Sequence, residues 1–188
     1  MSIRVVAGTA KGRRLASPEG TVTRPTPNRV RESVFNSLYS LGAIEGARVL
    51  DLFAGTGAMG IEALSRGAAA ATFVEHDPAV AAVLRDNLEA TGLADRATVM
   101  VTAAEAALAE FTRLSQRFDV AVVDPPYAFD DWPGLCGRVR ANLVVAESDR
   151  GVDVGPGFAV HHRRRHGGTV VTFAQAAAGG PIPTGVQQ

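Results

Sequence analysis

The chain reads as an α/β protein, a mostly parallel seven-stranded sheet with helices on both faces, preceded by a small β-hairpin. Three observations predict it. From residue 48 onward, short apolar runs alternate with helical periodicity, and such alternation implies crossover connections between parallel strands. The first of those runs ends in a glycine-rich turn, Gly55-Thr56-Gly57 with Gly60 behind it, that opens a helix. Ahead of them stands a segment of different character, basic and rich in Gly and Pro.

The elements follow in chain order. Residues 3–7 and 13–16 read as two short strands, with Gly8 to Gly12 as the loop between them. So small a hairpin must lean on something larger. Thr26 suits a helix cap and Pro27 a first helical position. Val30, Val34, Phe35, Leu38 and Leu41 then recur at helical spacing up to Gly42, so a helix is expected over 27–41. Strands are expected at 49–54, 71–75, 97–101 and 118–124, and helices at 58–66, 78–91 and 103–115. Three further strands are read at 143–147, 157–162 and 169–173. The division that results is a basic hairpin extension over 1–26, a main domain over 27–174 and a frayed tail over 175–188.

Composition bounds the function. The chain has 188 residues, 46% of them hydrophobic, so it can bury a core and is not a disordered polymer. No apolar run approaches the ~18 residues of a membrane span, and Met1-Ser2-Ile3-Arg4 lacks an export signal pattern. A single cysteine, Cys136, excludes an internal disulfide and a cysteine zinc site. A cytoplasmic protein without membrane contact is expected. The formal net charge of zero hides an asymmetry. Residues 1–31 hold seven basic residues against one acid, a net of +6, leaving −6 for the remainder. A basic arm on an acidic body suggests a polyanionic partner.

Two constellations carry chemistry. Gly55, Gly57 and Gly60 satisfy the spacing of a dinucleotide fingerprint, and Glu75 lies twenty residues after Gly55, at the end of the next strand. Glycines there let a ligand approach the backbone, the helix N-terminus offers free N–H groups, and the acid suits a ribose. Asp51, just before the turn, would repel a pyrophosphate but attract an ammonium group, which favours S-adenosylmethionine over NAD. The second constellation, Asp124-Pro125-Pro126-Tyr127, follows the fourth strand of the sheet. Ligands of open parallel sheets bind beyond the carboxyl ends of the strands, so this stiff tetrapeptide should face the glycine loop. The Asp124 carboxylate and the Pro125 carbonyl are placed to accept from an exocyclic amine, and Tyr127 to stack on a planar base. The run His161-His162-Arg163-Arg164-Arg165-His166 reads as a basic turn that adds a phosphate contact, since adjacent histidines on a strand would diverge and no metal site is completed.

With these residues in place, the chain resembles class I S-adenosylmethionine-dependent methyltransferases bearing the Asp-Pro-Pro-aromatic signature of amino-group methylation. More narrowly it resembles the RsmD family of 16S rRNA guanine-N2 methyltransferases. The likeness runs through Arg4 to Gly8, Gly12 to Leu15, Arg24 to Asn36, Asp51 to Gly67, Phe73 to Glu75 and Asp119 to Tyr127. It implies a Rossmann-like class I methyltransferase fold. It places Asp51, Gly55 and Gly57 at the methionine half of the cofactor, Glu75 at the ribose, and Ala104 and Glu105 at the adenine, with Phe53, Thr56 and His76 also among the cofactor-binding residues. Asp124, Pro125, Pro126 and Tyr127 would grip the flipped guanine. Arg4, Lys11, Arg13, Arg14, Arg24 and Arg29 would meet the RNA. The implied partner is 16S rRNA, in the small ribosomal subunit or its assembly intermediate, engaged by a monomer without a metal. Two departures stand out: Ala103 occupies a position where the wider fold often has an acid or Asn, and the stretch after Tyr127 shows neither the usual helix nor a Pro-Gly-Gly turn. The rival readings are an adenine-N6 DNA methyltransferase, an NAD-dependent oxidoreductase and a non-catalytic RNA-binding assembly factor.

Overall fold

The computed structural model describes residues 3–18, 28–126 and 128–177. Its hairpin pairs β1 (Ile3–Arg4) with β2 (Arg14–Leu15). The main sheet holds β3 (Arg48–Asp51), β4 (Ala70–Glu75), β5 (Ala97–Val101), β6 (Phe118–Val123), β7 (Ala141–Ser148), β8 (Phe158–His166) and β9 (Thr169–Ala176). Their spatial order is β5-β4-β3-β6-β7-β9-β8. The first five in that order are parallel, and β9 runs antiparallel between β7 and β8. The order reverses at β3 and β6, which opens a crevice at their carboxyl ends, the ligand position of doubly wound sheets.

Helices cover both faces. α1 (Asn28–Ser40), α2 (Ala58–Ser65) and α3 (Pro78–Thr91) pack on Val49, Phe73, Val120, Val145 and Phe173. α4 (Ala104–Arg113) and the short α5 (Trp132–Cys136) pack on Leu50, Val74, Ala121 and Val144. Successive strand residues thus feed opposite cores. Local chemistry sets the helix ends. The Asp77 carboxylate accepts from the N–H groups of Ala79 and Val80, Pro78 occupies the first turn, and Gly92 closes α3 in the left-handed region.

The hairpin is held by buried polar groups on α2. Glu62, fully buried, accepts from the N–H groups of Val6 at 2.8 Å and Ala7 at 3.0 Å. It also accepts from Arg31 Nε at 3.3 Å and Arg66 Nε at 2.7 Å. Arg31, equally buried on α1, donates onward to the Arg4 carbonyl and to Asn28 Oδ1. One turn along α2, Ser65 accepts from Thr9 and Ala10 and donates to the Ala7 carbonyl. On the other side Asn87 of α3 exchanges bonds with the Ala16 backbone and donates to the Thr56 carbonyl. The sequence patterns mark none of Glu62, Ser65 and Asn87 as anchors.

Several expectations shift. The hairpin strands are shorter than 3–7 and 13–16, although Val5 N–H still donates to the Arg13 carbonyl. The first strand of the main sheet ends at Asp51 rather than 54, while Leu52 and Ala54 continue backbone bonds to Val122 and Val74. The cap expected at Thr26 and Pro27 lies outside the described residues. The expected basic turn is not a turn: His161 to His166 form the second half of strand β8. A bulge between Val160 and His162 shifts its register, so the pattern has no single period of two. β9 runs on to Ala176, past the expected start of the tail at 175. The stretch after residue 127 does hold a helix, α5, but of five residues, capped by Asp131.

The ion pair of Arg31 and Glu62 yields a test. Glu62→Ala strands a buried guanidinium and two backbone donors, so a loss of about 3–5 kcal/mol is expected. Urea melts would measure it. Amide exchange at Val6 and Ala7 should quicken before that of the sheet.

Candidate active site at the carboxyl edge of the sheet

Asp51 closes β3 with its side chain turned under helix α2. It is 3% exposed, and its Oδ2 accepts from Gly60 N–H at 2.9 Å. Gly60 is the third residue of α2, whose own cap residue Gly57 has no side chain to offer, so Asp51 supplies the missing cap from the neighbouring strand. Burial pushes the Asp51 carboxyl up to about 7; the Gly60 bond opposes this and the nearby Glu75 adds to it.

Two of the three glycines are required by contacts, whereas a Cβ on Gly55, at φ +53°, would meet nothing within 4 Å. Gly57 sits at φ +85°, and a Cβ on it would lie 2.1 Å from Leu84 Cδ1. A Cβ on Gly60 would lie 2.2 Å from the Phe73 ring, so the third glycine lets α2 lie close on β4. Glu75, at the end of β4 and 7% exposed, ties the loop down. Its Oε2 accepts from Gly55 N–H at 2.9 Å and its Oε1 from Asp77 N–H at 2.9 Å. His76 is exposed, its Nδ1 3.0 Å from Glu75 Oε1. Thr56 is buried, with its carbonyl held by Asn87.

A cleft of about 170 Å³ opens beside this loop. Leu52, Phe53 and Val74 give it an apolar floor, and Glu75, His76, Ala104 and Glu105 stand at its walls. Ala103 lines it too but brings no hydrogen-bonding side chain. The structure therefore brings Phe53, Glu75, His76, Ala104 and Glu105 together around one space.

Asp124 follows β6 directly. It is half-buried, while Pro125 is buried and Pro126 exposed. Its carboxyl stands well above the ordinary range, first through burial and then through the charges of Glu147 on β7 and Asp51 on β3. Neither Asp124 oxygen has a hydrogen bond among the described residues. Tyr127 lies outside the described residues. Glu147, 5% exposed, is a residue the sequence reading missed. It sits within an apolar run and gave no motif signal.

The basic residues divide. Lys11, Arg13, Arg14 and Arg29 are exposed, and Arg4 donates to the Gly12 carbonyl at 2.9 Å within the hairpin. Arg24 lies outside the described residues. Cys136 is buried, and burial together with Asp153 pushes its thiol up to about 11, so it is no nucleophile. Among the described residues no group of three or more His, Cys, Asp or Glu could hold a metal, and no helix is long and apolar enough to cross a membrane.

Comparison with known proteins gives consistent matches. The family model described as conserved hypothetical protein 95 matches residues 3–175. The Bacillus subtilis protein YlbH is 37% identical over 159 residues, which are 81% of this chain and 85% of that protein. The Escherichia coli K12 protein named ribosomal RNA small subunit methyltransferase D is 44% identical over 125 residues, covering 66% of this chain and 60% of the relative. Among solved structures, the Thermus thermophilus hypothetical protein TTHA0928 superposes with a TM-score of 0.80 at 32% identity, over 93% of this chain and 99% of that one.

The buried Asp51 yields a pH test. Its carboxyl titrates near 3.8 when unfolded and near 7 when folded. The folded state thus holds the proton more tightly, and wild-type stability falls as pH rises through that window, levelling above it. Asp51→Asn keeps an acceptor for Gly60 N–H without the charge. Between pH 4 and pH 8 the variant should gain about 4 kcal/mol on the wild type, read from melts of both proteins.

Proposed function

The chain belongs to the RsmD family of methyltransferases, the family described as conserved hypothetical protein 95, and from that premise we propose that it methylates the exocyclic N2 of a guanine in 16S rRNA. The methyl donor in this reading is S-adenosylmethionine. The observation that carries the proposal is Asp124: a half-buried carboxylate at the carboxyl edge of the sheet, without a hydrogen-bond partner among the described residues, on a chain stiffened by Pro125 and Pro126. The small-subunit rRNA substrate is supported by the name of the E. coli relative.

The residues present fit the cofactor. Leu52, Phe53 and Val74 offer an apolar floor for an adenine. Glu75 already accepts from two backbone donors and keeps lone pairs for ribose hydroxyls. Ala103 gives the adenine amine no side-chain acceptor, so Glu105 or backbone carbonyls take that part. Asp51 supplies negative charge near the methionine ammonium. When bound, S-adenosylmethionine supplies an electrophilic methyl group on a sulfonium.

The chain's own work is positioning and charge. A guanine amine is a poor nucleophile because its lone pair is delocalised into the ring. Accepting its two N–H groups at Asp124 and at the Pro125 carbonyl favours a more tetrahedral nitrogen, whose lone pair then faces the methyl group. Asp51 and Glu147 both disfavour an ionised Asp124 in the absence of a cation. A cationic ligand in the cleft favours the ionised forms, so loading of the cleft readies Asp124 to accept. Tyr127 completes the grip by stacking on the base once it leaves its helix. Exposed Lys11, Arg13, Arg14 and Arg29 supply phosphate contacts.

The test is Asp124→Ala. Methyl transfer to rRNA should fall by about 10²-fold or more, while S-adenosylmethionine affinity, read by calorimetry, stays within about threefold, well under 1 kcal/mol. Transfer near the wild-type rate would remove Asp124 from the mechanism.

A further inference from the structure

Strand β8 is the edge of the sheet, and its last six residues are all His or Arg. Residues 158–168 contain three Arg and three His and no acid. His161, Arg163, Arg164 and Arg165 are exposed. Arg163 is committed to the Val152 carbonyl at 3.0 Å. Arg164 and Arg165 form no hydrogen bond or ion pair among the described residues. Between this strand and the C-terminal half of α1 lies a groove of about 430 Å³, walled by Ser37, Ser40 and Leu41 on one side and by His161 to Arg164 on the other. His162 floors it, stacked on Phe173 at 4.3 Å, with its Nε2 buried and unpartnered among the described residues. Burial, with His161 and Arg164 beside it, keeps His162 below the usual imidazole range, so the groove's charge comes from arginine.

The strand register locates this charge relative to the site. Arg164 pairs with Val171, and Val171 with Glu147. Val123 pairs with Ala146, which sets Asp124 beside Glu147. Arg164 therefore stands in the same row as Asp124, three strand spacings away, or about 14 Å. Charged side chains also deter edge strands from pairing with other chains. That role calls for one or two charges, not for three consecutive arginines beside an open groove.

We propose that the exposed edge strand β8, through Arg164 at the groove and Arg165 on the strand's other face, is a second docking surface for the phosphate backbone of the RNA substrate, on the opposite flank of the pocket from the basic hairpin. Guanidinium groups fork onto phosphate oxygens, and the open groove leaves room for the strand that flanks the target nucleotide. This surface rests on the RNA reading given above. With contacts on both flanks, the hairpin and β8 would fix the register of the RNA across the carboxyl edge, leaving the base to Asp124.

The experiment compares wild type with the double variant Arg164→Ala and Arg165→Ala, full length, for binding to 16S rRNA and to small subunits across a salt series. Methyl transfer is measured alongside. Two lost phosphate contacts should lower the slope of log affinity against log salt by about 1.4 and weaken binding about tenfold at moderate salt. The effect should fall on KM, with kcat and S-adenosylmethionine affinity unchanged. Equal affinity and slope for both proteins would overturn the proposal. So would weaker binding to small subunits alone with naked rRNA unaffected, which would mark a contact to ribosomal protein. Normal RNA binding accompanied by self-association of the variant would assign the charges to edge protection instead. If the wild type itself neither binds nor methylates rRNA, the broader reading fails, and that outcome is distinct from a failure of β8 alone.

Discussion

One buried carboxylate, Glu62, joins the parts of this molecule that would otherwise have little reason to stay together. A hairpin with two residues in each strand has no stability of its own. It is fixed because Glu62 accepts from two of its amides while also pairing with Arg31 of α1 and Arg66 of α2. In a dry interior such a pair contributes little net stability over an apolar one, but it is costly to break and it admits few alternative arrangements. Glu62 thus acts as a joint, and it sets the basic hairpin at a fixed angle to the helix that opens the glycine loop.

The same helix is held at its start by Asp51, so α2 carries the hairpin near one end and the glycine loop at the other. The crevice between β3 and β6 gathers carboxyl groups: Asp51, Glu75 and Glu147 lie buried at or near the ends of neighbouring strands, and half-buried Asp124 follows β6. Acids so placed destabilise the empty fold and favour a cationic ligand. An S-adenosylmethionine user of the kind proposed gains from that arrangement, because its methyl donor carries positive charge where a dinucleotide carries negative. Beyond the pocket the sign reverses, with arginine and lysine on the hairpin and arginine on β8, the polarity expected of a protein that takes a polyanion on its rim and a cation in its cleft.

Much of this was legible in the sequence because the underlying physics is periodic. Apolar runs ending in Asp51, Glu75 and Asp124 mark strands whose carboxyl ends meet in one crevice, and the spacing of Gly55, Gly57 and Gly60 marks a helix lying close on its strand. What stayed hidden has no period. Glu62 falls in a helix buried almost all round, where one acid looks like a stray polar residue until its partners arrive from residues 6, 7 and 31. Asp51 read as a ligand residue, yet one of its oxygens serves the helix end. The first part of β8 read as a strand, but its charged continuation from His161 to His166 read as a turn because a bulge shifts the phase there. The five-residue α5 is too short to show helical periodicity, although Asp131 and Pro133 punctuate its start.

The central claim is that this chain moves a methyl group from S-adenosylmethionine to guanine N2 in 16S rRNA. The most direct measurement is transfer of labelled methyl from S-adenosylmethionine to small ribosomal subunits that lack the modification, followed by nucleoside analysis, with naked 16S rRNA and DNA in parallel. The account predicts label in N2-methylguanine of 16S rRNA. Label in DNA adenine, or no label despite measurable cofactor binding, would contradict it.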